Sequence, residues 1–254
     1  MNPDRIGDLA RSLDDAWTRA VTIPAPTTIE PSLSVSEAYA IQDLIIARRV
    51  SMGRRIAGWK LGLTSADPPA TPIVGTLLDD MVIPSGSSLA TSTMTGPMVE
   101  AEFVVEIGED LHSAASVTDL QHGPHRVGPG IEVIDYRTTD SQGPIDWIAD
   151  NSTVAYAVIG DLVPVGDVDP TRVEADLSRD DEHLANGRGD KVMGNPLAAV
   201  AWLSGFLLER GHSLRAGDVV LTGSLTGHHL VPEGDSSFQA DFGELGTVSV
   251  SFHS

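Results

Sequence analysis

The sequence has no cysteine, which excludes disulfides, thiolate metal ligands and cysteine nucleophiles. It is also short of positive charge: 16 lysines and arginines stand against 36 aspartates and glutamates, for a formal net charge of −20. That field argues against nucleic acid and anionic membrane surfaces as partners. No apolar run approaches the ~20 residues needed to span a bilayer. The opening residues, Met1–Arg5, lack a basic stretch followed by an apolar one, so no secretory signal is expected and a cytoplasmic setting is. Glycine-rich phosphate loops, nucleophile elbows and paired-histidine zinc motifs are missing too, and His228 and His229 lack metal-ligand spacing.

What remains is a chain of 254 residues, 41% of them apolar, which can bury a substantial core. Ile6, Leu9, Leu13, Ala16 and Trp17 form one helical stripe before Pro24 and Pro26. Ser34 and Glu37 make a capping-box pattern ahead of Ala38, Ile41, Leu44, Ile45 and Val50, with Gly53 as the stop. Beyond it, short β-like runs are expected at 56–61, 99–107, 130–136, 153–159, 172–177, 218–221, 237–241 and 247–252. One helix interrupts them, with Asn195 as cap, Pro196 at its first position and Gly211 past its end. The stretch from Asp180 to Gly189 reads as a solvated hairpin end. The expectation is an α+β protein: an N-terminal helical segment, residues 1–55, feeding a strand-rich unit, residues 56–254.

The run from Val99 to Ile107 carries the most informative pair. In a strand, Glu100 and Glu102 project from the same face, opposite Val99, Ala101, Phe103 and Val105. Neighbouring carboxylates repel unless a positive charge lies between them, and a hard divalent cation is one answer. An exposed acidic face is the other. Glu132, in a second apolar strand, would complete a three-carboxylate site if the two strands are neighbours, while Asp135 alternates to the opposite face and Glu106 falls at the surface. Lys60, between Trp59 and Leu61 and followed by Thr64 and Ser65, would be partly desolvated, which lowers an ammonium pKa and suits acid–base work; snorkelling to solvent is the competing reading. Asp79 and Asp80 fit a turn, and Thr222, Gly223 and Ser224 fit either a turn or an anion-holding loop.

Taken in order, 58–65 (GWKLGLTS), 75–81 (GTLLDDM), 99–103 (VEAEF), 131–137 (IEVIDYR), 149–152 (ADNS), 194–203 (GNPLAAVAWL), 216–224 (AGDVVLTGS) and 246–252 (GTVSVSF) resemble the 2-keto-4-pentenoate hydratase family of the fumarylacetoacetate hydrolase superfamily. The resemblance covers the chain from about residue 35 onward. It implies a mixed β-roll, a homo-oligomer and a Mg²⁺- or Mn²⁺-dependent lyase that hydrates 2-hydroxypenta-2,4-dienoate, a step in the degradation of aromatic compounds. It further implies Glu100, Glu102 and Glu132 as metal ligands and Lys60 and Asp79 as acid–base residues. Leu61, Thr64, Ser65, Ser152, Thr222, Gly223 and Ser224 would surround the substrate. The 4-oxalocrotonate decarboxylases share the metal residues and the lysine, but tend to carry Gly-His-Pro and Thr-Gly-Gly where this chain has Gly194-Asn195-Pro196 and Thr222-Gly223-Ser224. Acylpyruvate-type C–C hydrolases fit less well. A non-catalytic binder of metal or 2-oxo acid on the same scaffold is a further alternative, against which Lys60 and Asp79 argue. Three departures point to a changed substrate: the proline-rich 66–74 stretch, where three prolines disfavour a helix, Tyr136, where a serine is usual, and the atypical 138–143 stretch.

Overall fold

The computed structural model describes residues 2–65, 70–141 and 143–254. Residues 66–69 of the proline-rich stretch lie outside that set, and 70–72 are not helical. In chain order the elements begin with α1 (Pro3–Arg19), β1 (Ile23–Pro24), α2 (Pro26–Ile29), α3 (Val35–Ser51), β2 (Ile56–Gly62), β3 (Ile73–Leu78), β4 (Val82–Pro84) and β5 (Ser87–Ala90). Next come β6 (Pro97–Glu106), α4 (Val117–His122), β7 (Arg126–Asp135), β8 (Thr138–Thr139), α5 (Pro144–Ala149), β9 (Val154–Ile159) and β10 (Val163–Pro164). The chain closes with β11 (Glu174–Arg179), β12 (Glu182–Arg188), α6 (Pro196–Glu209), β13 (Val219–Ser224), β14 (His229–Leu230), β15 (Ser236–Asp241) and β16 (Thr247–His253).

The helices start where their sequences say. Ser34 Oγ accepts from Glu37 N while the Glu37 carboxylate accepts from Ser34 N, so both halves of the capping box form. Asn195 Oδ1 accepts from Leu197 N at 2.9 Å to open α6, and Gly211, at φ 78°, turns the chain away after it. Charge ties α1 to α3, and a cation–π contact ties α1 to the body. Asp14 pairs with Arg48 and Arg49, and the guanidinium groups of Arg49 and Arg137 lie 3.7 and 4.5 Å from the Trp17 ring centroid.

The large sheet runs β3-β2-β13-β6-β7-β9-β4, with β10 on β7 and β14 on β6; the β2–β13 and β4–β9 pairings are parallel and the others antiparallel. A five-stranded sheet, β12-β11-β15-β16-β5, packs against it. The large sheet curls until β3 approaches β9. Leu77, Leu78, Val104, Val154, Ala157, Val219 and Leu221 fill the inside of the curl, whereas Val99, Ala101, Phe103 and Val105 face the larger outer core. The mixed roll with N-terminal helices is the architecture expected.

The strands are interrupted by α4 and α5 as well as α6, where one helix was expected, and two further differences have clear causes. β3 went unread because Ile73–Leu78 is buried at every position, so its sequence shows an apolar run rather than alternation. The hairpin end is confined to Asp180 and Asp181, both at positive φ, and Glu182–Arg188 pairs along β11 as a full strand.

Candidate active site

The longest strand pair sets the site. β6 and β7 are antiparallel, and their register puts Glu100 directly opposite Glu132, with Glu102 two residues along opposite Gly130. Gly130 leaves room for Val104: a Cβ there would stand 2.3 Å from Val104 Cγ2. Like charges directly across a strand pair are unfavourable, and here Glu102 and Glu132 are also fully buried. One carboxylate oxygen from each of Glu100, Glu102 and Glu132 lies within 4.8 Å of the others. Glu106, on the same strand, reaches the surface and faces Arg126 at 3.5 Å, as expected. Asp135 is turned away, accepting from Thr95 N, Thr95 Oγ1 and Gly96 N.

Lys60 approaches from three strands away, which the curl of the sheet permits. Its Nζ lies 3.0 Å from Glu132 Oε1, at ion-pair distance. The stem passes between two glycines. A Cβ on Gly75 would meet Lys60 Cγ at 3.1 Å, and one on Gly62 would stand 3.7 Å from Nζ. The lysine is buried, so the snorkelling reading is excluded. Its pKa runs opposite to the sequence expectation: burial lowers it, but Glu132, Glu100 and Glu102 together outweigh burial and raise it. Burial, then mutual repulsion, pushes the Glu102 carboxyl well up, and burial does the same for Glu132 against the pull of Lys60.

These carboxylates are left poorly satisfied by the protein. Glu102 Oε2 accepts from Gly223 N at 2.8 Å and Lys60 Nζ meets Glu132 Oε1, but among the described residues Glu102 Oε1 and Glu132 Oε2 have no hydrogen-bond partner. Buried anionic oxygens without donors are costly unless a cation meets them. An all-carboxylate set with room for further oxygen ligands suits a hard divalent ion such as Mg²⁺ or Mn²⁺. The residues present fit such an ion.

The substrate-side expectations divide. Ser152 is buried, and its Oγ has no hydrogen-bond partner among the described residues. Thr64 fills the space beside Gly223, whose Cβ would fall 1.8 Å from Thr64 Oγ1. Thr222 spends its hydroxyl on Phe103 O at 2.9 Å, and Ser224 Oγ accepts from Gly227 N at 2.8 Å. The bulged end of β13, residues 222–224, therefore orients Glu102 through the Gly223 N–H instead of presenting that N–H and the Thr222 hydroxyl to an anion. The Leu61 side chain is core, and Ser65 bridges to Val192.

Asp79 is not at the site in this chain. It follows β3 at the far end from Gly75, where its carboxylate accepts from Arg55 N at 3.2 Å and meets Arg55 Nε at 3.4 Å. Lys60 and Arg55 are five residues apart along or just before β2, roughly 16 Å at strand rise. The acid–base partner expected from the motif is thus an ion-paired turn residue. Sequence reasoning also missed Asn151. Its side chain accepts from Thr76 N at 2.8 Å and donates to Thr76 O at 2.9 Å, pairing the start of β9 with β3. Its place within the polar Asp150-Asn151-Ser152 run gives no signal of that long-range role. Tyr136 is half-buried near the site, its hydroxyl pKa raised by burial and by Glu100, and its ring lies edge-on to Trp147 at 6.4 Å.

Residues 49–252 match the family described as fumarylacetoacetate (FAA) hydrolase C-terminal. Over the whole chain, the sequence is similar to a 2-keto-4-pentenoate hydratase of Paraburkholderia xenovorans, at 32% identity covering 97% of that protein. The fold superposes with a TM-score of 0.92 and 30% identity on 4-oxalocrotonate decarboxylase from Pseudomonas putida G7, solved with magnesium and adipate, covering 99% of this chain and 98% of the other. A fumarylpyruvate hydrolase from Pseudomonas aeruginosa, solved with Mn²⁺ and pyruvate, shares the fold at a TM-score of 0.60 and 20% identity, covering 77% of this chain and 88% of that one.

Proposed function

The chain belongs to the fumarylacetoacetate hydrolase C-terminal family, and from that premise we propose that it is a divalent-metal-dependent hydro-lyase acting on a 2-hydroxy-2,4-dienoate. The observation that carries the reading is the Lys60–Glu132 contact inside the Glu100, Glu102 and Glu132 cluster. A buried lysine against three converging carboxylates is more than cation binding requires, and the hydratase relatives match the chain from end to end. Glu100, Glu102 and Glu132 would hold Mg²⁺ or Mn²⁺. The ion would supply Lewis-acid polarisation of the C1 carboxylate and C2 oxygen of the substrate.

The rest falls to the chain's own groups. For 2-hydroxypenta-2,4-dienoate, the proton of the C2 hydroxyl is given up and a proton is added at C5, leaving a 2-oxo-3-enoate. Water then adds, hydroxyl to C4 and hydrogen to C3, to give 4-hydroxy-2-oxopentanoate. Lys60 Nζ is the proton carrier between the C2 oxygen and C5. Ser152 Oγ offers a free hydroxyl to the bound substrate or the attacking water, and Thr64 and the 222–224 end of β13 wall the site. Glu102 and Glu132 are fully buried, while Glu100 is part-buried. A homo-oligomer, a cytoplasmic location and a place in aromatic-compound degradation belong to the same proposal.

Decarboxylation of a 4-oxalocrotonate-type acid is the second reading, favoured by the near-complete superposition on a decarboxylase. Against it, Asn195 stands where, by the family resemblance, the decarboxylases tend to carry histidine, and its Oδ1 accepts from Leu197 N to cap α6. Incubation with Mg²⁺ and 2-hydroxypenta-2,4-dienoate separates the two. Loss of the dienol absorbance without CO₂ is expected. CO₂ release from 4-oxalocrotonate with no turnover of the dienoate would assign decarboxylation instead.

A further inference from the structure

The turn after α5 is unusual in its backbone. Asn151, Ser152 and Thr153 follow one another at φ 49°, 50° and 62°, the left-handed region, and none is glycine. Such a run persists only where its surroundings hold it. Asp150 anchors one side: its carboxylate accepts from Arg137 Nε at 2.8 Å, and its carbonyl accepts from Arg137 at 2.8 Å. The Asn151 amide anchors the other through its paired hydrogen bonds to Thr76 N and O.

Those two bonds have the form of a strand ladder, with a side-chain amide in place of a backbone one. They span the seam where the curled sheet nearly closes, between β3 and the start of β9. The strands one step in from that seam are β2 and β7, which carry Lys60 and Glu132. The turn also touches the lysine's bed. Gly75 pairs with Lys60 in the β2–β3 register, and a Cβ on Gly75 would meet Asn151 O at 2.7 Å, Lys60 Cγ at 3.1 Å and Ser152 Cβ at 3.2 Å. Turn backbone and lysine stem share the notch that the glycine leaves.

We propose that Asn151 is a positioning residue: its amide clamps the seam between β3 and β9 and so sets where the Lys60 ammonium stands relative to Glu132. The clamp does this at a distance from the reacting atoms and needs no contact with substrate. Its kinetic consequences rest on the hydratase reading, whereas its structural consequence does not.

The sequence makes the test clean, because Lys60 and Lys191 are its only lysines. NMR of the full chain with Mg²⁺ and isotope-labelled lysine therefore gives one Cε/Nζ signal at the site and one reference signal from Lys191, whose Nζ donates to Leu225 O and makes no bond to Asn151 or Thr76. Asn151→Asp keeps the side-chain volume and the acceptor for Thr76 N but loses the donor to Thr76 O. Asn151→Ala loses both. Each is expected to shift or broaden the Lys60 signal and leave Lys191 in place, with kcat down roughly 10- to 100-fold and KM changed less than about threefold. Gly75→Ala, which crowds the notch with the amide intact, should give the same pattern by a separate route. An unmoved Lys60 signal in the folded Asn151→Asp protein overturns the proposal whatever the activity. A raised KM at unchanged kcat overturns it too, by making Asn151 a substrate ligand. If the unaltered protein turns over no dienoate, the hydratase reading fails while the lysine signals still decide the clamp.

Discussion

Lys60 Nζ stands 3.0 Å from Glu132 Oε1, across a sheet in which their strands are separated by two others. The contact exists because the sheet curls and because Gly75 and Gly62 leave the stem a passage. Replacing Lys60 with alanine should lower kcat by about 10²- to 10⁴-fold, the usual range for an acid–base side chain, with the fold retained by circular dichroism. Asp79→Ala should keep activity within about threefold, because Asp79 faces Arg55 at the other end of β3. Equal losses from the two substitutions in a steady-state assay would return Asp79 to the site.

The acidic cluster makes a prediction of opposite sign in two conditions. Without metal, Glu102→Gln removes one of the mutually repelling buried charges while keeping an acceptor for Gly223 N–H, so thermal stability should hold or rise. With Mn²⁺ at about 100 times its Kd, the unaltered protein should gain ~2.7 kcal/mol by mass action and the variant far less. Melting curves with Mn²⁺ and with chelator check both. A variant that gains as much from Mn²⁺ as the parent argues against Glu102 as a ligand.

Gly223 should tolerate no side chain. Its φ is 118°, and an added Cβ would collide with Thr64 Oγ1, displacing the one N–H that orients Glu102. Gly223→Ala is expected to weaken Mn²⁺ binding about 10- to 100-fold, the range for loss of an outer hydrogen bond to a metal ligand. Isothermal titration would show it, and unchanged affinity would remove the end of β13 from the metal site.

Much of this was legible from the chain. Strand alternation put Glu100 and Glu102 on one face, and Glu132 followed once two acidic, apolar runs were read as neighbours. Ser34 and Asn195 marked their helices because capping is a local interaction. The failures have one cause. Asp79 was assigned by motif position, but whether a turn residue reaches a site depends on the strand register, which local pattern does not encode. Lys60 was expected to have a lowered pKa from its apolar neighbours in sequence, whereas its charge is governed by three carboxylates brought from β6 and β7. Asn151 and Gly75 act across 76 positions of sequence, beyond what spacing can reveal. Ile73–Leu78 hid because a strand covered on both faces loses its alternation.

The Arg137–Asp150 pair is buried on both sides and holds the left-handed turn. Breaking it with Asp150→Ala leaves a buried guanidinium unpaired and should cost about 3–5 kcal/mol in urea unfolding. A loss below about 1 kcal/mol would show that the turn stands without it.

His125 carries a pH dependence away from the site. It is buried, its Nδ1 accepts from Gly108 N at 3.0 Å, and burial holds its pKa below the ordinary 6.5 against the weaker pull of Glu109. The unfolded chain then binds the proton more tightly, so this contribution to stability is complete above 6.5 and is lost as pH falls through the lower folded value. NMR titration, with the signal assigned through His125→Gln, should place its midpoint below 6.5. A midpoint at or above that value contradicts the assignment of Nδ1 as acceptor.

The central claim is that Glu100, Glu102 and Glu132 hold a divalent cation on which turnover depends. The most direct measurement is the rate of dienol loss from 2-hydroxypenta-2,4-dienoate by chelator-stripped protein as Mg²⁺ or Mn²⁺ is restored, beside Glu102→Gln. The stripped protein should be inactive, added metal should restore the rate, and the variant should remain inactive at concentrations that saturate the parent. Full turnover in chelator, or by folded Glu102→Gln, would contradict the account.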